Sequence, residues 1–299
     1  MPVYRTAETR NIFKGLAFVS PWLVGFLGFT AIPLILVAYY SLCEYPLTKP
    51  PVYIGLANYR ELFADSIYWQ TVRNTAYYAV LVLPLSLVVA LSVAMLLNAK
   101  IRGLALFRTA YYLPVITPLV VAAIIWSWLY QADTGMLNYY LIQLGVIDEP
   151  VRWLGNRATA MPAVIAMNTW KGIGFNMIVF LAGLQAVPQE FYEAADVDGA
   201  GWWQKFRRIT VPLIAPTTFF LLVINTVGAM KAFTQVFVMT QGGPPGPGGA
   251  TTTIVYWIYQ QAFVYFKMGY ASALAYTTFF LLFAVSFMQF RWYVKRVED

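Results

Sequence analysis

The sequence predicts an all-α membrane protein with six transmembrane helices and a short cytoplasmic helix between the fourth and fifth. Three observations lead there. The 299 residues are 60% hydrophobic and only 11% charged, against about 25% charged in soluble domains. Six apolar runs reach the ~20 residues that a helix needs to cross a bilayer core. Basic residues gather in alternate connections between those runs, as the positive-inside rule requires of cytoplasmic loops.

The runs are roughly residues 16–42, 75–97, 109–130, 161–184, 211–232 and 270–293. The first begins after Lys14 and carries no charge as far as Cys43. It outlasts the ~7–15-residue core of a signal peptide and reads as an uncleaved span. Pro33, Pro84 and Pro118 fall inside runs; such prolines are tolerated in membranes because neighbouring groups re-satisfy the freed backbone. Tyr39, Tyr40, Tyr111 and Tyr112 suit the membrane–water interface. Residues 251–266, with Tyr256, Trp257, Tyr259 and Phe263, are too short to span. They are expected as an outer-face helix on the membrane surface or on the protein.

Orientation follows from charge. Arg5, Arg10 and Lys14 precede the first span; Lys100, Arg102 and Arg108 lie between the second and third; Lys205, Arg207 and Arg208 between the fourth and fifth; Arg291, Lys295 and Arg296 at the end. The longer opposite loops hold only Lys49, Arg60, Arg73, Arg152, Arg157 and Lys267. Both termini and the loop 186–210 are therefore expected in the cytoplasm. The predicted organisation is a cytoplasmic tail over 1–15, a six-span domain over 16–293 containing that loop, and a cytoplasmic tail over 294–299.

Composition also excludes function classes. The net charge of +7 comes in short clusters between apolar runs, so nucleic-acid binding is not indicated. Histidine is absent and Cys43 is the single cysteine, so a zinc or redox site and an intrachain disulfide are not expected. None of the acids lies inside the six runs, which disfavours a carrier coupled to protons or sodium through carboxylates and a membrane-embedded acid–base enzyme. A self-contained secondary carrier or channel is the alternative kept. There is no G-x-x-x-x-G-K-[ST] phosphate loop, so nucleotide hydrolysis would have to reside on another polypeptide.

The loop 186–210 contains Glu193-Ala194-Ala195-Asp196-Val197-Asp198-Gly199-Ala200. Pro188 and Glu190 suit the first turn of a helix. Phe191, Tyr192, Ala194, Ala195 and Val197 give it an apolar, partly small-residue surface, and Gly199 is placed to end it. That pattern suits a docking element; the competing reading is an ordinary solvated amphipathic loop.

Intramembrane polar residues are few, so each is a functional candidate. Lys171 lies about 15 Å into the fourth span. Asn168, Gly172, Phe175 and Asn176 share a helical face around it, and Gly172 and Gly174 permit close approach of another backbone. Asn225 and Gly228 form a second patch on the fifth span. Asn168, Asn176 and Asn225 offer donors and acceptors for hydroxyls, and Trp170 or Phe175 a flat face for a sugar ring. The competing reading is interhelical hydrogen bonding, worth about 0.6–2 kcal/mol per pair. Lys231 is expected to snorkel at the outer end of the fifth span. Residues 241–250, rich in Gly and Pro, are expected as an outer loop that contacts a solute-binding protein, or as a plain connection.

Glu193-Ala194-Ala195, Gly199, Ile209 and Pro212 match the spacing E-A-A, three residues, G, nine residues, I, then usually L-P, with Val211 where leucine is usual. This resembles the signature of permease subunits of bacterial ABC importers. Gly55-Leu56-Ala57-Asn58-Tyr59, Trp170-Lys171, Leu181-Ala182-Gly183-Leu184-Gln185, Met239-Thr240-Gln241-Gly242-Gly243-Pro244 and Met268-Gly269-Tyr270-Ala271-Ser272-Ala273 are similar to the sugar-importer branch. The likeness is to the first of two permeases of the maltose or glycerol-phosphate type. It implies a minimal six-span permease fold in a bacterial inner membrane and a second homologous permease. It also implies an ATPase dimer that carries ATP and Mg, an extracytoplasmic binding protein, and alternating access for a sugar or sugar derivative. No cofactor is expected on this chain. The resemblance implies that Glu193 pairs with a basic group on the ATPase, with Ala194, Ala195, Asp198 and Gly199 at the docking surface.

Overall fold

A computed structural model describes residues 15, 17–99, 103–240 and 249–298, without the side chains of 296–298. It is helical, with one two-residue antiparallel ribbon, β1 (Cys43–Glu44) and β2 (Val52–Tyr53). The described residues divide into two compact units: those up to Asp65 with Ile258–Phe279, and those from Ser66 to Trp257 with those from Phe280 onward.

In the first unit, helix α1 (Ala17–Ser41) is apolar and almost wholly exposed, as expected of a helix whose surface is left to lipid. β1 and β2 follow it, then α2 (Ala57–Ala64). Asn58 is buried and donates to the carbonyls of Ser41 and Cys43 at 2.9 and 2.8 Å. The asparagine that resembles a family motif thus ties α2 to the end of α1. A Cβ at Gly269 would run into the Cys43 carbonyl, which accounts for a glycine there.

The second unit is built on α3 (Ser66–Asn98). Its buried residues are Tyr68, Thr71, Thr75, Tyr78, Val82, Ser86, Ala90, Ala94 and Leu97, with Val93 beside them. Their spacing of three or four residues draws one buried stripe along the helix. The small residues Ser86, Ala90 and Ala94 let a neighbour approach closely, which drives helix association where no water is present to do so.

Helices α4 (Leu104–Ile116) and α5 (Leu119–Leu129) follow, then α6 (Met136–Gln143) and α7 (Ala160–Gln185). Next come the short α8 (Gln189–Val197), α9 (Trp202–Leu213), α10 (Ala215–Met230) and α11 (Thr234–Met239). α12 (Ile254–Tyr259) and α13 (Met268–Glu298) complete the order and cross from one unit to the other. α7 is the central helix of the second unit and packs on α3, α4 and α10. A Cβ at Gly174 would strike the backbone of Tyr111 and Tyr112 on α4, so close approach occurs at Gly174. At Gly172 the nearest atom is only the Asn176 amide at 3.8 Å.

Among the described residues four helices are long and apolar enough to cross a membrane, and six spans result when each of two bent pairs counts as one. The second span starts at Ser66 rather than near residue 75. The third is α4 plus α5, bent by 98°. Pro118 disfavours helical geometry at the preceding residue, and Thr117 is extended with ψ 128°. Pro118 itself has ψ 138°, so two successive residues leave the helix. The fifth span is α9 plus α10, bent by 64° around Ile214, between Pro212 and Pro216. α12 packs on the protein: Tyr256 is fully buried near Phe233 and Phe237.

Candidate functional site

The E-A-A motif of the loop 186–210 forms α8. Pro188 precedes its first turn with ψ 132°, Glu190 sits in that turn, and no residue of the helix is buried. The helix ends in a Schellman arrangement: Gly199 N–H donates to Asp196 O at 3.1 Å and Ala200 N–H to Ala195 O at 2.8 Å. Gly199 has φ +70°, a conformation open to glycine without penalty.

One face of α8 is fastened to α9. Tyr192 and Asp196, one turn apart, reach Thr210 and Lys205: the hydroxyls of Tyr192 and Thr210 lie 2.9 Å apart, and Lys205 pairs with the Asp196 carboxylate. The other side is open. Glu193, Ala194, Asp198 and Gly199 are exposed, Ala195 is half-buried, and Phe191 and Val197 are 50% and 90% exposed. A helix anchored on one face with apolar residues standing out on the other has the form of a docking element. Residues 241–248 of the expected binding-protein contact lie outside the described residues, as do Lys100 and Arg102.

The intramembrane candidates separate into three environments. Asn176 and Asn225 form a reciprocal amide pair between α7 and α10: Asn225 Nδ2 donates to Asn176 Oδ1 at 3.0 Å, and Asn176 Nδ2 to Asn225 Oδ1 at 3.4 Å. Asn225 Nδ2 also donates to Leu221 O at 2.7 Å. Lys171 Nζ donates to Thr117 O at 2.7 Å and to Pro114 O at 3.0 Å, with Val115 O at 3.5 Å. These carbonyls are freed by the break between α4 and α5, and a cation suits the negative end of α4. Trp170 meets Trp126 at 5.6 Å between ring centres, and Phe175 is 40% exposed.

Asn168 and Asn225 share a cavity of about 300 Å³ with Ser86 of α3, Gly228 of α10, Lys231 just beyond it and Gln235 of α11. Val82, Leu119 and Ala229 supply apolar wall. Lys231 therefore lines a cavity shared with the fourth- and fifth-span asparagines. Gln235 is buried and its Nε2 donates to the Tyr78 hydroxyl at 3.1 Å. Neither Ser86 nor Gln235 was marked by sequence reasoning. The signal in the sequence is an amide in the apolar stretch just after the fifth run, 211–232.

Comparison with known proteins accords with this architecture. Residues 82–298 match the family "binding-protein-dependent transport system inner membrane component". The probable ABC transporter permease YesP of Bacillus subtilis (strain 168) is 38% identical over 290 residues, covering 95% of this chain and 93% of that protein. The arabinooligosaccharides transport system permease AraP of the same organism is 33% identical, covering 92% and 86%. The sn-glycerol-3-phosphate transport system permease UgpA of Agrobacterium fabrum (strain C58) is 36% identical, covering 82% of each. A chain of a bacterial ABC transporter that imports the acidic polysaccharide alginate shares the fold, with a TM-score of 0.84 at 24% identity over 98% of this chain and 99% of that one. The chain belongs to the family of binding-protein-dependent transport system inner membrane components, as an ABC transporter permease.

Proposed function

We propose that this chain is one of two homologous permeases of an ATP-driven importer, moving a sugar or sugar derivative across a bacterial inner membrane by alternating access. The observation that carries the reading is α8: a short helix held to α9 by Tyr192 and Asp196, with Glu193, Ala194 and Val197 presented outward. In this account the outward face seats in an ATPase of a dimer that holds ATP and Mg. Glu193 pairs with a base there, and ATPase closure moves α8, and with it α9 and α10.

Sugar as cargo is supported by the names of relatives such as AraP and UgpA and by the amide-lined cavity. Asn168 and Asn225 would meet substrate hydroxyls, Asn176 would orient Asn225, and Lys171 would hold the broken span that contributes Leu119 to the wall. Trp170 and Phe175 lie on the same helix but are not among the residues that line this cavity. A binding protein delivers substrate from outside, lipid surrounds the spans, and both termini face the cytoplasm. A self-contained carrier is disfavoured by the family to which the chain belongs.

The test is uptake by proteoliposomes holding the chain with its second permease, ATPase and binding protein. Uptake is expected only with ATP on the ATPase side. Uptake by this chain alone, without ATP, would establish the carrier reading instead.

A further inference from the structure

Two lysines interrupt the apolar segments that cross the membrane, and their surroundings differ. Lys171 is held by the carbonyls of Pro114 and Thr117. Lys231 lines the cavity and is exposed; among the described residues its ammonium has no hydrogen-bond or ion-pair partner, and no carboxylate lines the cavity with it.

The helix end accounts for the backbone of Lys231 but not for its side chain. Its N–H donates to Val227 O and Gly228 O, closing α10. The chain then runs through only Ala232 and Phe233 before α11 begins at Thr234. Lys231 thus stands at a break between two helices and beside Asn168, Asn225 and Gln235. Cations within membrane segments face water-filled cavities and mark ion or substrate pathways, and the exposed ammonium of Lys231 is open to an anion entering this one. Asn168 faces the same space with a neutral donor and acceptor, and Asn225 with its Oδ1 as acceptor, its amide hydrogens serving Asn176 and Leu221, while the ammonium supplies the single fixed positive charge among the described lining residues.

We propose that the cavity takes an anionic saccharide, whose carboxylate or phosphate pairs with Lys231 while Asn168 and Asn225 meet its hydroxyls. This rests on the sugar-importer reading and narrows it to acidic sugars. Charge-assisted hydrogen bonds are about twice as strong as neutral ones, so a neutral isostere at position 231 would discriminate against the acid group rather than against sugars in general.

The experiment is initial uptake into proteoliposomes carrying the full importer, with digalacturonate, a hexose 6-phosphate and the neutral disaccharide maltose as separate probes. Wild type, Lys231→Gln and Lys231→Arg are compared after gel filtration shows that each assembles. The expected result is uptake of one anionic probe, lowered at least about tenfold by Lys231→Gln at low substrate and largely kept by Lys231→Arg. The digalacturonate and hexose-phosphate arms tell carboxylate from phosphate. Uptake of maltose, unchanged by Lys231→Gln, would overturn the proposal and leave the sugar reading standing. ATP-dependent uptake of none of the three would count against the sugar reading and the proposal together.

Discussion

Lys171 Nζ lies 2.7 Å from the carbonyl oxygen of Thr117, on the far side of a helix break from α5. The carbonyls at the end of α4 have lost their intrahelical donors because Pro118 has no N–H and Thr117 is extended. The Thr117 hydroxyl returns to Leu113 O at 3.2 Å. Lys171 covers the Pro114 and Thr117 carbonyls. Lysine and proline are thus two halves of one local device.

Lys171→Met is expected to destabilise the protein by about 1.5–3 kcal/mol, the range for hydrogen bonds involving a charged group. Thermal unfolding of the detergent-solubilised protein reads this out, and Lys171→Arg should recover part of it. An unchanged melting temperature in Lys171→Met would show that the break stands without the cation.

The Asn176–Asn225 pair predicts a coupling that single variants do not reveal. A double-mutant cycle with Asn176→Ala and Asn225→Ala should give about 0.6–2 kcal/mol between the two sites, as found for interhelical bonds in membranes. Chemical unfolding in detergent measures it. Additive effects would mean that the two amides do not act as a pair.

Gly174 predicts a steric effect of opposite sign to ordinary helix propensity. Alanine favours a helix over glycine by about 1 kcal/mol, yet a Cβ here meets the Tyr111 carbonyl and Tyr112 backbone. Gly174→Ala should therefore lower stability by about 1–3 kcal/mol. Gly172→Ala, whose Cβ would meet only the Asn176 amide at an ordinary 3.8 Å, should be neutral or slightly stabilising. Parallel melting curves of the two variants make the comparison.

Much of this was legible before any coordinates. The E-A-A spacing locates α8 and its glycine terminus, and the apolar runs locate the long helices. The 98° break was not legible, because a proline inside a span permits anything from a slight kink to a broken helix. Only the donor offered by a neighbour decides between them. Depth along the run separates Lys171, about 15 Å into its span, from Lys231 at a span end, but does not tell what each side chain meets. That difference lies in which carbonyls or cavity stand opposite, a property of packing between distant segments. Gln235 lies beyond the fifth run, 211–232, because the chain breaks there and resumes as α11.

Gly199 separates docking from folding. A side chain there meets no neighbouring atom, so Gly199→Ala carries only the left-handed backbone strain of about 1–2 kcal/mol, confined to the end of α8. ATP-dependent uptake should fall several-fold while the protein still purifies with its second permease. Loss of both together would assign Gly199 to folding instead.

The most direct measurement of the central claim is co-purification from mildly solubilised membranes, comparing wild type with the double variant Glu193→Lys, Gly199→Asp. The account predicts that wild type recovers a second permease and an ATPase, and that the variant keeps the permease and loses the ATPase. An ATPase retained undiminished by the variant, or absent from the wild type, would contradict docking through α8.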